Sequence, residues 1–274
     1  MKIVPDISLT SARLRPKVGW NPGLLFVNGE VGAWYDPSVL TSLFQDAAGS
    51  VPVTAPGQPV GRISDLSGNG LHALQPVSAA RPVLETDGVR YWLAFDGVDD
   101  YMTAGVPADW VFLHSDFGAT VVGAITLAQK TNTLETWFST CPASSSYVGA
   151  LFNSDNTDAQ GNPQRARVVI NRGVSGAVST ATFSTGTPPT AVWAWRSDAV
   201  GAALRINSLD VVSSAWINPV STSNPPNPLT LGRAGAGYNM EGRLFGTILL
   251  DRFATEVEFE RLRGYMALKS GVTL

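Results

Sequence analysis

Apolar residues alternate with small or polar ones in short runs along the chain, and turn-forming residues separate the runs. The runs are Arg90–Ala94, Thr120–Thr126, Arg167–Ile170, Val192–Trp195, Ala203–Ile206, Leu229–Leu231 and Gly246–Leu250. Period-two spacing, clearest at Trp193 and Trp195, puts one set of side chains on one face of a half-buried strand. Between the runs lie Ser67-Gly68-Asn69-Gly70, Asp87-Gly88, Asp96-Gly97, Asn171-Arg172-Gly173 and Gly235-Ala236-Gly237. These residues tolerate the positive φ of tight turns. Many short strands at this spacing predict an all-β sandwich or jelly roll of two sheets. Nothing alternates strand with helix.

One segment near the C-terminus has helical periodicity. Thr255 and Glu258 form a capping-box pattern, Phe259, Leu262 and Met266 share a face, and Gly271 follows Lys269 as a stop. A short C-terminal helix should therefore pack its apolar stripe on the sandwich. A weaker pattern over Pro37–Asp46 predicts a second helical stretch, with Leu40, Leu43 and Phe44 on one face.

Residues 1–30 have no period. They carry Lys2, Arg13, Arg15 and Lys17 among Pro5, Pro16 and Pro22. This predicts an extended N-terminal arm, either disordered or strand-exchanged, or docked on neighbouring subunits. The expected division is an arm over residues 1–35 that anchors the protein in an assembly, and a sandwich over 36–274. Asn153–Gln164 and Ser221–Pro228 read as long surface loops.

Composition narrows the function classes. Of 274 residues, 44% are hydrophobic and only 15% charged, against about 25% in typical domains, which argues against a disordered chain and suggests that much of the surface is uncharged. Nineteen Lys and Arg against 22 Asp and Glu give a net charge of −3 with no basic tract, which argues against nucleic-acid binding. Cys141 is the only cysteine, so neither a disulfide framework nor a cysteine zinc cluster exists. Lys2, Pro5 and Asp6 interrupt any apolar signal-peptide core, and the longest apolar stretch, Gly118–Ala128, is too short to span a bilayer. The expectation is a protein made in the cytoplasm without a secretory signal or membrane insertion.

Four segments in order resemble the concanavalin A-like, laminin-G-type jelly roll. DLSGNGLHALQ over Asp65–Gln75 matches its D-x-S-G-N-G-x-H-A turn, and YWLAFDGVDDY over Tyr91–Tyr101 its F-D-G-x-D-D-Y strand and turn. Leu204–Ser208 is similar to the L-y-V-N-G hairpin, with Ser208 where glycine is usual. Leu229–Arg233 followed by Gly242–Gly246 looks like the strands before the closing helix. Upstream, Leu25–Ser38, Leu43–Asp46 and Pro52–Gly61 resemble a leader found in bacteriophage and prophage structural proteins that carry this jelly roll. The resemblance implies a virion component, at a tail tip, a fibre or the capsid.

Catalytic chemistry finds little purchase. Glu256, Glu258 and Glu260 alternate as the paired carboxylates of a glycan hydrolase would on a strand, but they open the predicted helix, where period two scatters them. His72 sits in the turn motif as a structural group. His114-Ser115-Asp116 is adjacent only in sequence, which is not how a triad is built. Calcium is the one cation for which hard oxygen ligands gather, at Asp96, Asp99 and Asp100, although the same side chains also serve as turn formers. A saccharide site pairs an aromatic face with amide and carboxylate groups. Trp110, Trp137, Tyr147, Tyr238 and Asn239 are the candidates, whereas Trp92, Trp193 and Trp195 lie in strand patterns. The expected function is therefore a non-enzymatic virion protein of a tailed phage. It would be displayed on tail tip or fibre as a homo-oligomer among other virion proteins, with host-surface carbohydrate as its ligand. The alternatives are a capsid decoration protein and a glycan-active hydrolase.

Overall fold

The alternating segments form strands, and every strand pairing is antiparallel. A computed structural model describes residues 19–115, 118–128, 134–142, 147–155, 165–172, 175–182, 190–216, 220–235 and 237–274. In chain order the strands are β1 (Gly32–Tyr35), β2 (Leu43–Phe44), β3 (Arg62–Ile63), β4 (Ala73–Leu74), β5 (Val83–Thr86), β6 (Tyr91–Asp96), β7 (Met102–Ala104), β8 (Ala119–Leu127) and β9 (Glu135–Ser139). They continue as β10 (Val148–Asp155), β11 (Arg165–Arg172), β12 (Ser175–Thr182), β13 (Thr190–Ser197), β14 (Gly201–Ile206), β15 (Leu209–Ala215), β16 (Leu229–Leu231) and β17 (Glu241–Leu250), before helix α1 (Glu256–Ser270). The first sheet has the order β15-β14-β13-β8-β17-β6-β5, with β1 also on β17. The second runs β12-β11-β10-β9-β16-β7-β4-β3-β2. This is the expected two-sheet jelly-roll sandwich with a short C-terminal helix.

The core lies between the sheets. Leu93, Phe95, Val121, Ile125, Trp193 and Trp195 point inward from the first sheet to meet Trp137, Phe138, Phe152, Val168 and Ile170 of the second. Trp137 crosses the interface to lie edge-on to Trp193, with ring centroids 6.1 Å apart. It fits because position 123 is glycine: a Cβ there would stand 2.7 Å from the Trp137 ring. Helix α1 covers the opposite face of the first sheet, setting Phe259, Leu262 and Met266 against Val122, Ala124, Val192, Phe245 and Ile248. Its capping box is formed as predicted: Thr255 Oγ1 accepts from the Glu258 amide at 3.3 Å, and Glu258 Oε2 from the Thr255 amide at 2.9 Å. Among the described residues no helix is long and apolar enough to cross a membrane.

Three expectations change. Pro37–Asp46 is not a helix but a single 3-10 turn, Leu40–Ser42, followed by β2. A helix that short is marginal without packing, and here Leu43 and Phe44 pair with Ile63 and Arg62 instead. Residues 19–35 are not an arm: Trp20 packs edge-on to Tyr265 at 6.3 Å, β1 pairs with β17 from Gly32 to Tyr35, and Tyr35 is fully buried. Only residues 1–18 of the expected arm lie outside the described residues. Finally, Asn153 is no loop residue; β10 continues through it to Asp155, and residues 156–164 fall outside the described residues.

The Asp65–Gln75 motif acts as a clasp on this N-terminal segment. Asp65 accepts from the Trp34, Ser67 and Leu71 amides at 2.9, 2.9 and 3.1 Å. Asn69 Nδ2 donates to the carbonyls of Glu30 and Gly32, at 3.0 and 2.9 Å. His72 Nδ1 accepts from the Asp65 amide at 3.1 Å, a structural use that accounts for it.

Candidate functional site

Strand β6 ends at Asp96, and the turn that follows runs through Gly97 to Asp100. Asp96 Oδ1 accepts from the Val98 and Asp99 amides at 2.8 and 3.3 Å, while Asp100 Oδ2 accepts from the Asp96 amide at 3.0 Å. Two of the three acids thus satisfy the backbone of their own turn. Asp96, Asp99 and Asp100 still present carboxylate oxygens within 4.8 Å of one another. The structure therefore unites the three acids expected as calcium ligands and shows two of them already engaged. Asp96 and Asp99 are exposed and Asp100 is buried. Burial, with the neighbouring Asp96 and Asp99 charges, pushes the Asp100 carboxyl up to about 6.

A second loop meets this turn. Gly232 donates to the Trp137 carbonyl at 2.9 Å, and Met240 closes the neck on the Gly232 carbonyl at 2.8 Å. Ser139 Oγ donates to the Arg233 carbonyl at 2.8 Å, and the Thr136 amide to the Tyr238 carbonyl at 3.3 Å. Gly232 has φ +84° and would place a Cβ 2.5 Å from the Phe95 ring, so the loop can approach β6 only with glycine there. The Arg233 guanidinium lies on the Tyr101 ring, 3.5 Å from its centroid. Asn239 Nδ2 donates to the Val98 carbonyl, fastening the loop to the acidic turn. Tyr238 is half-buried against Leu151, Val169 and Ala234 on the outer face of the second sheet. An aromatic ring, a carboxamide and a set of carboxylates therefore share one rim of the sandwich.

The remaining aromatic candidates do not join them. Trp110 and Trp137 are fully buried. Trp110 donates to the Ala104 carbonyl at 2.9 Å from the short helical turn Pro107–Leu113, and Trp137 fills the inter-sheet core. Their faces are spent on packing, so neither contacts a ligand. Tyr147 is 45% exposed but precedes β10 at the end opposite Ser154, which pairs with Glu135 beside the rim. An eight-residue strand, roughly 25 Å long, separates the two ends.

Two residues not foreseen lie beneath the loop. Thr136 and Asn153 oppose each other across β9 and β10, both fully buried. The alternation Ala150-Leu151-Phe152-Asn153 was the available signal, hidden by the polar residues that follow. The helical acids are consumed elsewhere: Glu256 by Arg196 and Arg205, Glu260 by Arg205 and Arg263, and Glu258 by Arg252. The Arg252 hydrogen bonds hold Glu258 down at about 2. His114 is buried, with Nε2 2.8 Å from the Ser223 carbonyl.

No protein-family model matches this chain, and no curated protein does. Solved structures with a similar fold exist. One is Trypanosoma rangeli sialidase, with a TM-score of 0.54 at 9% identity over 88% of this chain and 33% of that one. Another is an arabinofuranosidase complexed with arabinofuranosyl-alpha-1,2-xylobiose, with a TM-score of 0.53 at 12% identity over 77% of this chain and 51% of that one. A third is the CBM40 of a Ruminococcus gnavus IT-sialidase bound to alpha2,3 sialyllactose, at 0.44 and 10% identity, covering 56% of this chain and 85% of that one. The chain thus spans about a third of the trypanosome sialidase and half of the arabinofuranosidase. At such identities the likeness establishes the β-sandwich fold alone.

Proposed function

We propose that this protein is a non-enzymatic carbohydrate-binding module, displayed at the tail tip or fibre of a tailed-phage virion and attached there through residues 1–18. The observation that carries the glycan reading is the bond from Asn239 to the Val98 carbonyl, which brings Tyr238 and Asn239 to the Asp96–Asp100 turn. A sugar needs an apolar face to stack on and paired donors and acceptors for its hydroxyls, and this rim supplies both. One solved structure of similar fold, the arabinofuranosidase, is complexed with an oligosaccharide, which is in keeping with that reading. The virion context rests on the resemblance of Leu25–Gly61 to phage structural proteins. The absence of hydrolysis is inferred from Glu256, Glu258 and Glu260 being ion-paired on a helix.

Calorimetric titration of the full chain with host-surface oligosaccharides tests the site. Tyr238→Ala should weaken binding by about tenfold, corresponding to roughly 1.4 kcal/mol; wild-type affinity in that variant would move the site elsewhere. Immunogold microscopy of particles tests the display. Label at the tail supports it, whereas label over the head would make the protein a capsid decoration.

A further inference from the structure

Helix α1 leaves one end of the first sheet's outer face open. Its apolar packing reaches Trp92, Phe245, Ala124 and Val192. Side chains alternate along a strand, so the residues two positions nearer the rim share that face. These are Ala94, Arg243, Thr126 and Thr190, neighbours in register across β6, β17, β8 and β13. They line an open groove of about 460 Å³, a volume within the range of about 300–1,000 Å³ that ligand sites occupy.

The groove offers both donors and acceptors. Trp92 sets two of them: its Nε1 donates to Glu85 Oε2 at 2.9 Å, and the Arg243 guanidinium lies over its ring, 4.5 Å from the centroid. Arg243 is exposed and has no hydrogen bond or ion pair among the described residues, so its N–H donors remain for a ligand. Thr126 and Thr190 share one hydrogen bond of 2.7 Å, which uses only one of their hydroxyl hydrogens. Glu241 lines the groove at its rim end, where it pairs in register with Asp96 of the acidic turn. Three steps of chain separate it from Tyr238, so their Cα atoms lie at most about 11 Å apart.

This lining selects among ligands. A sugar hydroxyl both donates and accepts, and is matched by a guanidinium and carboxylates set side by side. A chain with a carboxylate on every ring would meet Glu85 and Glu241 in the groove and Asp96 and Asp99 at the rim, with Arg243 and Arg233 as the only nearby cations named among the described residues. A chain with an ammonium on every ring would set like charge against Arg243.

We propose that this groove is a chain-binding subsite continuing the Tyr238–Asn239 rim, so that the ligand is an extended neutral oligosaccharide and not a single terminal or acidic sugar. The inference rests on the glycan reading above.

The test is calorimetry of the full chain with mono- to tetrasaccharides from cellulose, mannan and galactan, each beside its uronate counterpart, in which a carboxylate replaces the hydroxymethyl group. Wild type should bind the tetrasaccharide of at least one neutral series about tenfold or more tighter than its monosaccharide, and about tenfold tighter than the matching uronate. Arg243→Ala and, independently, Ala94→Met, which fills the floor, should bring the tetrasaccharide down to about the monosaccharide's affinity. Both positions line the open groove, so both variants should stay folded in thermal unfolding; if either unfolds, the wild-type series decides alone. An affinity that does not grow with chain length, or a growth that survives either folded variant, overturns the groove and leaves the glycan reading standing. A uronate bound as tightly as its neutral partner, or tighter, overturns the neutral-chain assignment. A wild type that binds no saccharide of any length overturns both readings together.

Discussion

Trp137 shows why residue identity alone misplaces a binding site. An indole beside polar sequence is equally at home in a core or against a sugar, and the deciding partner, Gly123, is on a different sheet. Gly123→Ala would put a methyl 2.7 Å from the Trp137 ring, so urea unfolding should show a loss of about 1–3 kcal/mol. Asp100 supports a prediction with a definite pH sign. Its carboxyl rises from 3.8 to about 6 in the folded protein, first through burial. The fold thus favours the protonated form, and the associated stability is fully present below pH 3.8 and lost as pH rises through about 6. Asp100→Asn keeps an acceptor for the Asp96 amide and removes the charge. It should be more stable than wild type at pH 7.5, by about 1–2 kcal/mol, with the gap closing towards pH 4. A gap that does not vary with pH would contradict the assignment.

Elements written in local signals were legible, and elements written in distant pairing were not. Helix α1 announces itself through Glu258 in its first turn and through Thr255 and Gly271, the residues that cap its two ends. Thr255→Ala should cost about 0.5–2 kcal/mol in thermal unfolding, the usual effect of a lost cap. Strand β1 has no such signal, since its identity depends on β17, more than two hundred residues later. The two-residue strands β2, β3 and β4 are likewise visible only through their partners. Residues 19–35, expected in the arm, therefore belong to the described sandwich. Deleting residues 1–18 should leave Tm unchanged while abolishing particle attachment. Deleting 1–35 should unfold the domain, because it removes β1 and the buried Tyr35.

At the scale of the molecule, the sandwich was readable because many short strands and an ordered set of turn motifs agree on one architecture. Half of the site was readable too. Asp96, Asp99, Asp100, Tyr238 and Asn239 were identifiable as separate candidates, but their meeting depends on Glu241 of β17 pairing with Asp96 of β6. Asn153 and Thr136, beneath the loop, stayed hidden, because the burial of a polar pair is a property of packing and leaves no mark in composition. The central claim is that this rim holds a glycan without cleaving it. Its most direct test is a glycan array probed with the full chain, followed by analysis of the retained glycan for cleavage. The account predicts retention that Tyr238→Ala diminishes, with the glycan recovered intact. An array with no glycan retained, or a glycan released as fragments, would contradict it.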